Sequence, residues 1–384
     1  ISACLVGSEM CIRDSIRILN LFTIMNRGGA ETMVMNYYRA IDKSKIQFDF
    51  MVHRQERGAY DDEIEAMGGR IFRMCPIYPQ NLFKYQQLLK MFFDNHPEYR
   101  ILHSHMSELG YFAFKEAIRH GVLVRICHAH NIPVFKNETT KEKIKRIPRE
   151  ILAHLIRNIA TDYFACSEGA GEWLFGKKKR IIIINNAIDT TKFTYNDKIA
   201  EQIKDEFNWK NKYIIGHVGR FSPQKNHTFL IDIFYAIQKE ISNSILVLVG
   251  EGDLKPQIEK KVSDLKIEKK VFFLGAMSDV YRFYQVFDAF IFPSLYEGFG
   301  NVLLEAQACG IQSFTSKDVV PQYANITPLL HYIPLSYDAD HWKSIILTHK
   351  DYQRKDMSKD VQDNGFDIHQ NAEWLTNFYL NKLL

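Results

Sequence analysis

The chain has 384 residues, a length that usually corresponds to two or three domains. With 46% hydrophobic and 24% charged residues it has the composition of a globular protein, which excludes a disordered or fibrous chain. The formal net charge of +4 is too small for general nucleic-acid binding, so we expect no nucleic-acid partner.

The first fifteen residues, "ISACLVGSEMCIRDS", lack the basic start and the long apolar core of a secretory signal. They share no periodicity with the residues that follow, and the string resembles translated sequencing-adapter sequence. We therefore expect residues 1–15 to be foreign to the fold or disordered, and the fold to begin at about Ile16.

Residues 16–189 alternate between short apolar runs and segments of helical period. The runs that predict strands are "RILNLFTI", "FDFMVH", "RIFRMC", "ILHSH", "LVRICHAH", "DYFACS" and "RIIIINNAI". Strands that are apolar along their whole length, with a helix between each pair, are typical of a parallel sheet covered on both faces. We predict one α/β domain here, ending at about Asp189.

A second alternation follows a polar segment, 190–212, which we expect to be a linker with a short helix. It predicts a second doubly wound domain over 213–365. The amphipathic tail 366–384 predicts a helix that packs back on the N-terminal domain. The predicted fold class is therefore α/β, with two Rossmann-like domains facing an interdomain cleft, where such proteins usually bind ligands.

The segment "YEGFGNVLLEAQACG" (296–310) combines a glycine-rich loop with a short predicted helix. Asn301 is a good N-cap residue for that helix and Gly310 a good C′ residue. The open backbone amides at the helix start, beside Gly298 and Gly300, form a natural cradle for an anion. On this segment alone, a capped helix beside an acidic loop is the simpler interpretation.

A second motif, "HVGRFSPQKN" (217–226), favours a ligand site over a capped helix beside an acidic loop. It follows the first strand of the same domain, and both loops lie at the carboxyl ends of parallel strands, so they should converge on one face. Arg220 and Lys225 suit a diphosphate, because an arginine fork and a lysine charge both bind phosphate oxygens. The carboxylates of Glu297 and Glu305 suit sugar hydroxyls, from which they accept hydrogen bonds. Together these groups predict a nucleotide-sugar site.

The motifs "GRFSPQKN", "VGEGDL" and "FPSLYEGFG", with the two spaced glutamates, resemble the retaining glycosyltransferases of family four, which have the GT-B fold. In the N-terminal half, the chain resembles the subgroup that assembles bacterial capsule and exopolysaccharide, through "MNRGGAETMVMNYYR", "FDFMVH", "LHSHMS" and "YFACSE". The resemblance extends from about Ile16 to about Pro321. It implies a nucleoside diphosphate sugar as donor, with UDP favoured, and a saccharide or lipid-linked saccharide as acceptor.

The resemblance also implies roles for individual residues. Arg220 and Lys225 would hold the donor diphosphate. Glu305 would bind the ribose hydroxyls, Glu297 would face the donor sugar, and His105 would contact that sugar near its reacting face. The expected catalytic residues are therefore Arg220, Lys225, Glu297 and His105. The remaining donor contacts, including a glycine loop from the other domain, would come from Gly28, Gly29, Gly219, Gly298, Phe299, Gly300 and Asn301.

The implied reaction moves a hexose or N-acetylhexosamine with retention at the anomeric carbon, and fixed cations and amides stabilise the leaving diphosphate. No Asp-x-Asp motif is placed to bind a metal, so we expect neither a metal nor a cofactor. The two glutamates are poor candidates for a hydrolase acid/base pair, since one is assigned to the ribose. Among the other histidines, His130 is a candidate on the acceptor side, whereas His103 and His128 are expected to be structural.

Three other interpretations are open to the same residues. A nucleotide-sugar epimerase or a phosphorylase would use the same two-domain plan, and free UDP without transferred sugar would favour it. A non-catalytic sugar- or lipid-binding subunit would keep the fold, although the intact cationic and acidic residues disfavour decay. A dinucleotide oxidoreductase is disfavoured, because no G-x-G-x-x-G motif follows a predicted strand.

Six scattered cysteines without metal-ligand or disulfide spacing favour a cytoplasmic protein. No apolar run approaches the roughly 18 residues of a membrane span. The basic segment 141–157 is either a solvated loop and helix or a surface attracted to anionic lipid, where each basic residue contributes ~1 kcal/mol. We favour the second, since the acceptor in this subgroup is usually lipid-linked. This predicts peripheral attachment to the cytoplasmic face of a membrane.

Overall fold

The computed structural model describes residues 15–130 and 140–383, without the side chains of 140–146. The expectation for the first fifteen residues therefore lies outside the described residues, except at Ser15. In the basic segment 141–157, the side chains of 141–146 are likewise outside the described part of the chain. In the described parts of the chain, no helix is long and apolar enough to cross a bilayer.

The chain divides into two compact units. The N-terminal unit contains the residues up to Asn186 together with Ile368–Leu384, and the C-terminal unit contains Ala187–Asp367. In chain order the strands are β1 Ile16–Phe22, β2 Ile46–Val52, β3 Ile71–Arg73, β4 Ile101–Ser104, β5 Val124–Ala129, β6 Asp162–Ala165, β7 Ile181–Ile183, β8 Tyr213–Val218, β9 Ser244–Val249, β10 Val271–Phe273, β11 Ala289–Phe292, β12 Gln312–Ser316 and β13 Leu330–Ile333. The α-helices are α1 Gly29–Ala40, α2 Asp61–Ala66, α3 Leu82–Asn95, α4 Tyr111–Arg119, α5 Thr140–Ile159, α6 Glu168–Phe175, α7 Asp197–Glu206, α8 His227–Glu240, α9 Lys255–Asp264, α10 Tyr281–Tyr284, α11 Asn301–Ala308, α12 Ala339–Leu347, α13 Ser358–Val361 and α14 Ile368–Asn381.

The N-terminal unit is built on a seven-stranded parallel sheet in the order β3-β2-β1-β4-β5-β6-β7. The central strand β1 is buried from Ile18 to Phe22, as expected for a strand with helices on both sheet faces. The strand order reverses between β1 and β4, so the loops that follow these two strands flank a crevice at the carboxyl edge. The C-terminal helix α14 packs against α1 and buries Leu375 and Tyr379 within this unit.

The C-terminal unit repeats this plan with a six-stranded parallel sheet in the order β10-β9-β8-β11-β12-β13. Its order reverses between β8 and β11. Phe290 and Phe292 of β11 pack with Leu303 and Leu304 of α11 in the core beside that point. Both sheets are parallel and doubly wound, which confirms the predicted α/β fold class.

The polar segment 190–212, expected to be a linker, belongs to the C-terminal unit. Its apolar residues recur at helical spacing, and α7 with the following turn places Ala200, Ile203 and Trp209 in the core of that unit. Three elements of the same unit, β13, α12 and α13, are not among the predicted elements. β13 is a short edge strand whose apolar run is interrupted by His331, so its sequence lacks a clear strand pattern.

Helix α7 begins at a side-chain cap that should contribute measurably to stability. Asn196 Oδ1 accepts hydrogen bonds from the backbone amides of Lys198, at 3.0 Å, and Ile199, at 3.3 Å. We expect Asn196→Ala to lower the free energy of unfolding by about 1 kcal/mol, as for other N-cap losses. Urea unfolding of the full chain would measure the shift. Asn196→Asp keeps an acceptor and adds a favourable charge at the helix start, so it should unfold like the parent chain.

Candidate functional site

The loops after β8 and β11 meet at the point where the strand order of the C-terminal unit reverses. Leu295 N donates to Gln224 O at 2.8 Å, and Gln224 Nε2 donates to Tyr296 O at 3.0 Å. Asn226 Nδ2 donates to Pro293 O at 3.1 Å. These bonds hold the two loops together at one face, as their positions after parallel strands predict.

The same loops bring Lys225 and Glu297 into direct contact. Lys225 Nζ forms an ion pair with Glu297 Oε1 and lies 4.5 Å from the centroid of the Phe292 ring. Glu297 Oε1 also accepts hydrogen bonds from Gln224 Nε2, at 3.1 Å, and Ser294 Oγ, at 3.2 Å. The two charged side chains are only 17% and 7% exposed, so each holds the other in place with little screening by water.

Arg220 lies at the start of the β8 loop, and its side chain is exposed. Among the described residues its guanidinium has no ion-pair partner, so it is available to an anion from solution. The preceding Gly219 lets the side chains of His217 and Lys225 pack close to the backbone. A Cβ at this position would lie 3.0 Å from His217 Nε2 and 3.3 Å from Lys225 Cγ. The Gly219 amide donates to Val249 O at 2.9 Å, which ties the loop to the sheet.

The glycine-rich loop after β11 leads into α11 without a side-chain cap. The N-cap residue is Gly300 rather than the predicted Asn301, which is the first residue of the helix. Gly300 has φ +87°, a conformation that favours glycine, and this is why the cap lies one residue earlier than predicted. Phe299 is buried, and a Cβ on Gly298 would meet no atom within 4 Å. With no side chain in the cap position, the helix start keeps the open amides of an anion cradle.

Helix α11 ends at Ala308, and after the C-cap residue Cys309 the chain turns at Gly310, which has φ +71° in the predicted C′ position. A Cβ at Gly310 would lie 1.8 Å from Lys355 O, so a side chain there would collide with the backbone. The predicted C′ glycine is confirmed.

Glu305 lies on the second turn of α11, where its carboxylate is held by a residue that the motifs do not include. Tyr284 OH donates to Glu305 Oε2 at 2.7 Å. Desolvation raises the pKa of Glu305 to about 7, although the hydrogen bond from Tyr284 opposes this shift. A pKa this high indicates that hydrogen bonds from the protein do not offset the desolvation of the charged carboxylate. It retains acceptor capacity for hydroxyl donors.

In the N-terminal unit, the ends of β4 and β5 bring together four imidazoles, which we call the histidine cluster: His103, His105, His128 and His130. His103 Nδ1 lies 2.7 Å from Tyr379 OH, and His103 Nε2 lies 3.3 Å from His128 Nδ1. His105 Nδ1 lies 2.8 Å from His130 Nε2. His103 and His128 are buried, in agreement with their predicted structural role, and His130 keeps part of its surface exposed.

Both ring nitrogens of His105 are occupied in this cluster. Asn20 Nδ2 donates to the backbone carbonyls of Ile18, at 3.3 Å, and Asp49, at 3.4 Å. Its Oδ1 is therefore the acceptor that lies 3.3 Å from His105 Nε2. His105 thus carries its proton on Nε2 and accepts a hydrogen bond from His130 at Nδ1. Burial keeps both rings neutral, lowering the pKa of His105 well below its usual value and that of His130 to about 3.

The predicted glycine loop of the N-terminal unit follows β1. Gly28 is the N-cap of α1 in an extended conformation, and its amide donates to Asn26 O at 2.9 Å. A Cβ on Gly28 would lie 2.3 Å from Glu31 Oε2, whereas a Cβ on Gly29 would meet no atom within 4 Å. Gly29 is thus the open position of this loop. Gly28 and Gly29 lie at the carboxyl edge where the strand order of this unit reverses.

Two family models together match most of the chain. Residues 27–192 match the model described as Glycosyltransferase Family 4, and residues 199–326 match Glycosyl transferases group 1. EpsF of Bacillus subtilis (strain 168), which carries the name of a glycosyltransferase, is 33% identical over 94% of this chain and 96% of its own. The capsular polysaccharide biosynthesis glycosyltransferase CapH of Staphylococcus aureus is 26% identical over 96% and 100%.

A solved structure supports the fold independently. HepE of Anabaena, crystallised in complex with UDP, superimposes with a TM-score of 0.75 at 18% identity, covering 95% of this chain and all of that one. At this identity the likeness supports the fold alone. Together, the motifs, the two parallel-sheet units and these similarities show that the chain belongs to the family-4 glycosyltransferases and has the GT-B fold.

Proposed function

We propose that this protein transfers a hexose or N-acetylhexosamine from a UDP-sugar to a saccharide or lipid-linked saccharide acceptor in cell-surface polysaccharide biosynthesis. The observation that carries the proposal is the grouping of Arg220, Lys225 and the start of α11 at the strand-order reversal of the C-terminal unit. In open α/β sheets, ligands bind at this position. UDP is favoured because the similar fold of HepE was crystallised with it, and a polysaccharide pathway is favoured by the name of CapH.

In the proposed complex, the diphosphate lies between Arg220, Lys225 and the backbone from Gly298 to Asn301. The Lys225–Glu297 ion pair affects how the diphosphate binds. The diphosphate competes for the Lys225 ammonium, and Glu297 is then free to accept hydrogen bonds from hydroxyls of the donor sugar. Glu305 accepts the ribose hydroxyls. The pair thus keeps both groups buried and oriented before the donor arrives.

During transfer, the bond between the anomeric carbon and the diphosphate oxygen breaks, and a bond to the acceptor oxygen forms on the same face of the sugar. The acceptor hydroxyl gives its proton to the departing phosphate oxygen. Negative charge develops on the diphosphate, and in this proposal Arg220, Lys225 and the α11 amides stabilise that charge. Because these groups supply the positive charge, we propose a transfer that needs neither a metal nor a cofactor.

His105 and His130 are proposed to act on the sugar side of the reaction. Since both nitrogens of His105 are engaged by Asn20 and His130, His105 orients His130 in this arrangement. The Nδ1 atom of His130 keeps its lone pair, and the ring is partly exposed. It can therefore accept a hydrogen bond from a hydroxyl group. Gly28 and Gly29 are proposed to form the donor-side loop of the N-terminal unit.

A panel of nucleotide sugars scored by thermal shift tests the donor. A ligand that binds the folded state at 100 times its Kd stabilises that state by about 2.7 kcal/mol, so the true donor should raise Tm more than its analogues. We expect UDP-sugars to give the largest shift and GDP- or ADP-sugars to give smaller ones. Product analysis with saccharide and lipid-linked acceptors follows. Free UDP without transferred sugar under every condition would favour an epimerase or a phosphorylase, and absence of any shift would contradict the proposed donor site.

A further inference from the structure

His217 is a buried residue of β8, and one of its ring nitrogens has no hydrogen-bond partner. His217 Nδ1 lies 2.8 Å from the backbone oxygen of Ile291. A carbonyl oxygen only accepts, so Nδ1 carries the proton and Nε2 of the neutral ring is a lone pair. Burial is the main cause that lowers the pKa of His217 well below its usual value, which keeps the ring neutral. None of the described residues donates to Nε2, an uncommon state for a buried polar atom.

This lone pair lies next to the side chain of Lys225. A Cβ built on Gly219 would be 3.0 Å from His217 Nε2, 3.3 Å from Lys225 Cγ and 3.4 Å from Lys225 Cδ. The two side chains therefore meet at the same point of the β8 loop. They also share the Phe292 ring, whose centroid is 5.6 Å from that of His217 and 4.5 Å from Lys225 Nζ. Rotation about the terminal bonds of Lys225 brings its ammonium toward Nε2.

The Lys225 ammonium has donors that the free protein does not use. An ammonium has three N–H groups. Among the described residues, that of Lys225 contacts only Glu297 and the Phe292 ring. The side chain is 17% exposed, and a bound diphosphate would cover it further. An N–H that points away from the diphosphate therefore needs an acceptor within the protein, because a buried donor without one is costly.

His227 is the other ring close to the lone pair of His217. The two ring centroids are 4.6 Å apart with an interplanar angle of 73°. His227 stacks on Phe221, with centroids 4.2 Å apart, and neither of its nitrogens forms a hydrogen bond among the described residues. This packing holds His227 edge-to-face with His217 and out of hydrogen-bond contact. Lys225 is thus the donor that can turn toward Nε2.

We propose that His217 is a positioning residue for Lys225, and that its Nε2 accepts a hydrogen bond from the Lys225 ammonium when a diphosphate is bound. The ammonium leaves Glu297 and donates both to the diphosphate and to His217, which holds it between the two. Lys225 then has one protein acceptor in the free protein, Glu297, and another in the complex, His217. The inference rests on the proposed function, because it requires a diphosphate at this site.

The test observes His217 Nε2 directly, by NMR of the full chain labelled with ¹⁵N-histidine. In long-range ¹H–¹⁵N spectra, the signal of a lone-pair nitrogen moves upfield when it accepts a hydrogen bond. His217→Phe identifies the signal by its loss, and His217→Gln does so if the first variant fails to fold. We expect saturating UDP to move the Nε2 signal upfield in the parent chain but not in Lys225→Ala. His227→Phe, which replaces the neighbouring buried ring, is the matched control and should respond like the parent chain.

Calorimetric titration with UDP separates this inference from the proposed function. His217→Phe should bind UDP roughly 10-fold more weakly than the parent chain, as expected for the loss of a hydrogen bond to a charged group. In the Lys225→Ala background the same change should cause no further loss, because the two residues act as a unit. UDP binding with an unmoved Nε2 signal would overturn the inference and leave the donor site intact, as would a response that is lost in His227→Phe. Absence of UDP binding would contradict the donor site itself.

Discussion

Replacing Lys225 by alanine should lower the rate of sugar transfer by roughly 10²–10³-fold, the usual effect of removing one preorganised group that stabilises transition-state charge. The ammonium lies at the meeting point of the β8 and β11 loops, only 17% exposed. A cation in such a place interacts more strongly with a developing negative charge than an exposed one. The measurement is single-turnover product formation with saturating donor, together with calorimetric titration of UDP.

The stability of this variant needs a matched control, because Lys225→Ala leaves the nearly buried Glu297 carboxylate without its cation. Loss of one partner of a buried ion pair is costly even when the pair itself contributes little. In the double variant Lys225→Ala/Glu297→Gln, the neutral amide keeps its hydrogen bonds to Gln224 and Ser294, so stability should recover while transfer stays low. The exposed Lys260→Ala should have no effect on either quantity. Turnover close to the parent rate in Lys225→Ala would remove this residue from the diphosphate site.

The sequence predicts that the loops after β8 and β11 converge, because this prediction requires only the local pattern of each strand. Strand runs such as "AFIF" (289–292) are apolar throughout, and the carboxyl ends of neighbouring parallel strands necessarily share one edge of a sheet. The positions of Arg220 and Lys225 in one loop and Glu297 in the other therefore predict a common site. The C′ glycine at Gly310 is likewise local, since it depends on one residue with positive φ.

Pairings between distant segments do not follow from such patterns. Tyr284 is 21 residues from Glu305 and lies in a short helix without a recognisable motif, yet it donates the hydrogen bond that holds the Glu305 carboxylate. The Lys225–Glu297 ion pair spans 72 residues, and spacing predicts both residues as ligand contacts without predicting that they contact each other. The cap at Gly300 depends on a backbone angle, which Asn301 as a residue type does not reveal.

The contacts within the histidine cluster also do not follow from sequence patterns alone. The pattern H-x-H at the ends of β4 and β5 places alternate rings on one side of each strand, and it predicts that two of the four are buried. It does not predict that the strands are neighbours in register, with His103 opposite Ile126. That register brings the four rings together, and it lets Asn20 on β1 set the tautomer of His105.

Donor binding should depend on pH through Glu305, and Glu305→Gln should weaken the affinity for UDP about 10–100-fold. The ionised carboxylate accepts hydroxyl hydrogen bonds more strongly than the protonated carboxyl, and hydrogen bonds to a charged group contribute about 1.5–3 kcal/mol. Since desolvation raises the pKa of Glu305 to about 7, the parent chain should bind UDP more weakly at pH 6 than at pH 8. The Gln variant should lose most of this dependence. Calorimetric titrations at both pH values make the comparison.

The raised pKa of Glu305 predicts that, without donor, the stability of the protein falls as pH rises, which is opposite to the trend for UDP binding. A carboxyl whose folded pKa lies above its unfolded value binds more protons when folded, so its contribution to stability falls as pH rises from about 4.5 to about 7. The full penalty is present above pH 7, and for this partly buried group it reaches at most about 3 kcal/mol. Glu305→Gln should therefore gain stability relative to the parent chain at pH 8 but not at pH 4.5, while the exposed control Glu259→Gln should not. A variant that binds donor less tightly yet unfolds at higher urea concentration would show that Glu305 is retained for a ligand, since its charge costs the free protein stability. Equal urea midpoints for the parent and Glu305→Gln at pH 8 would contradict this account.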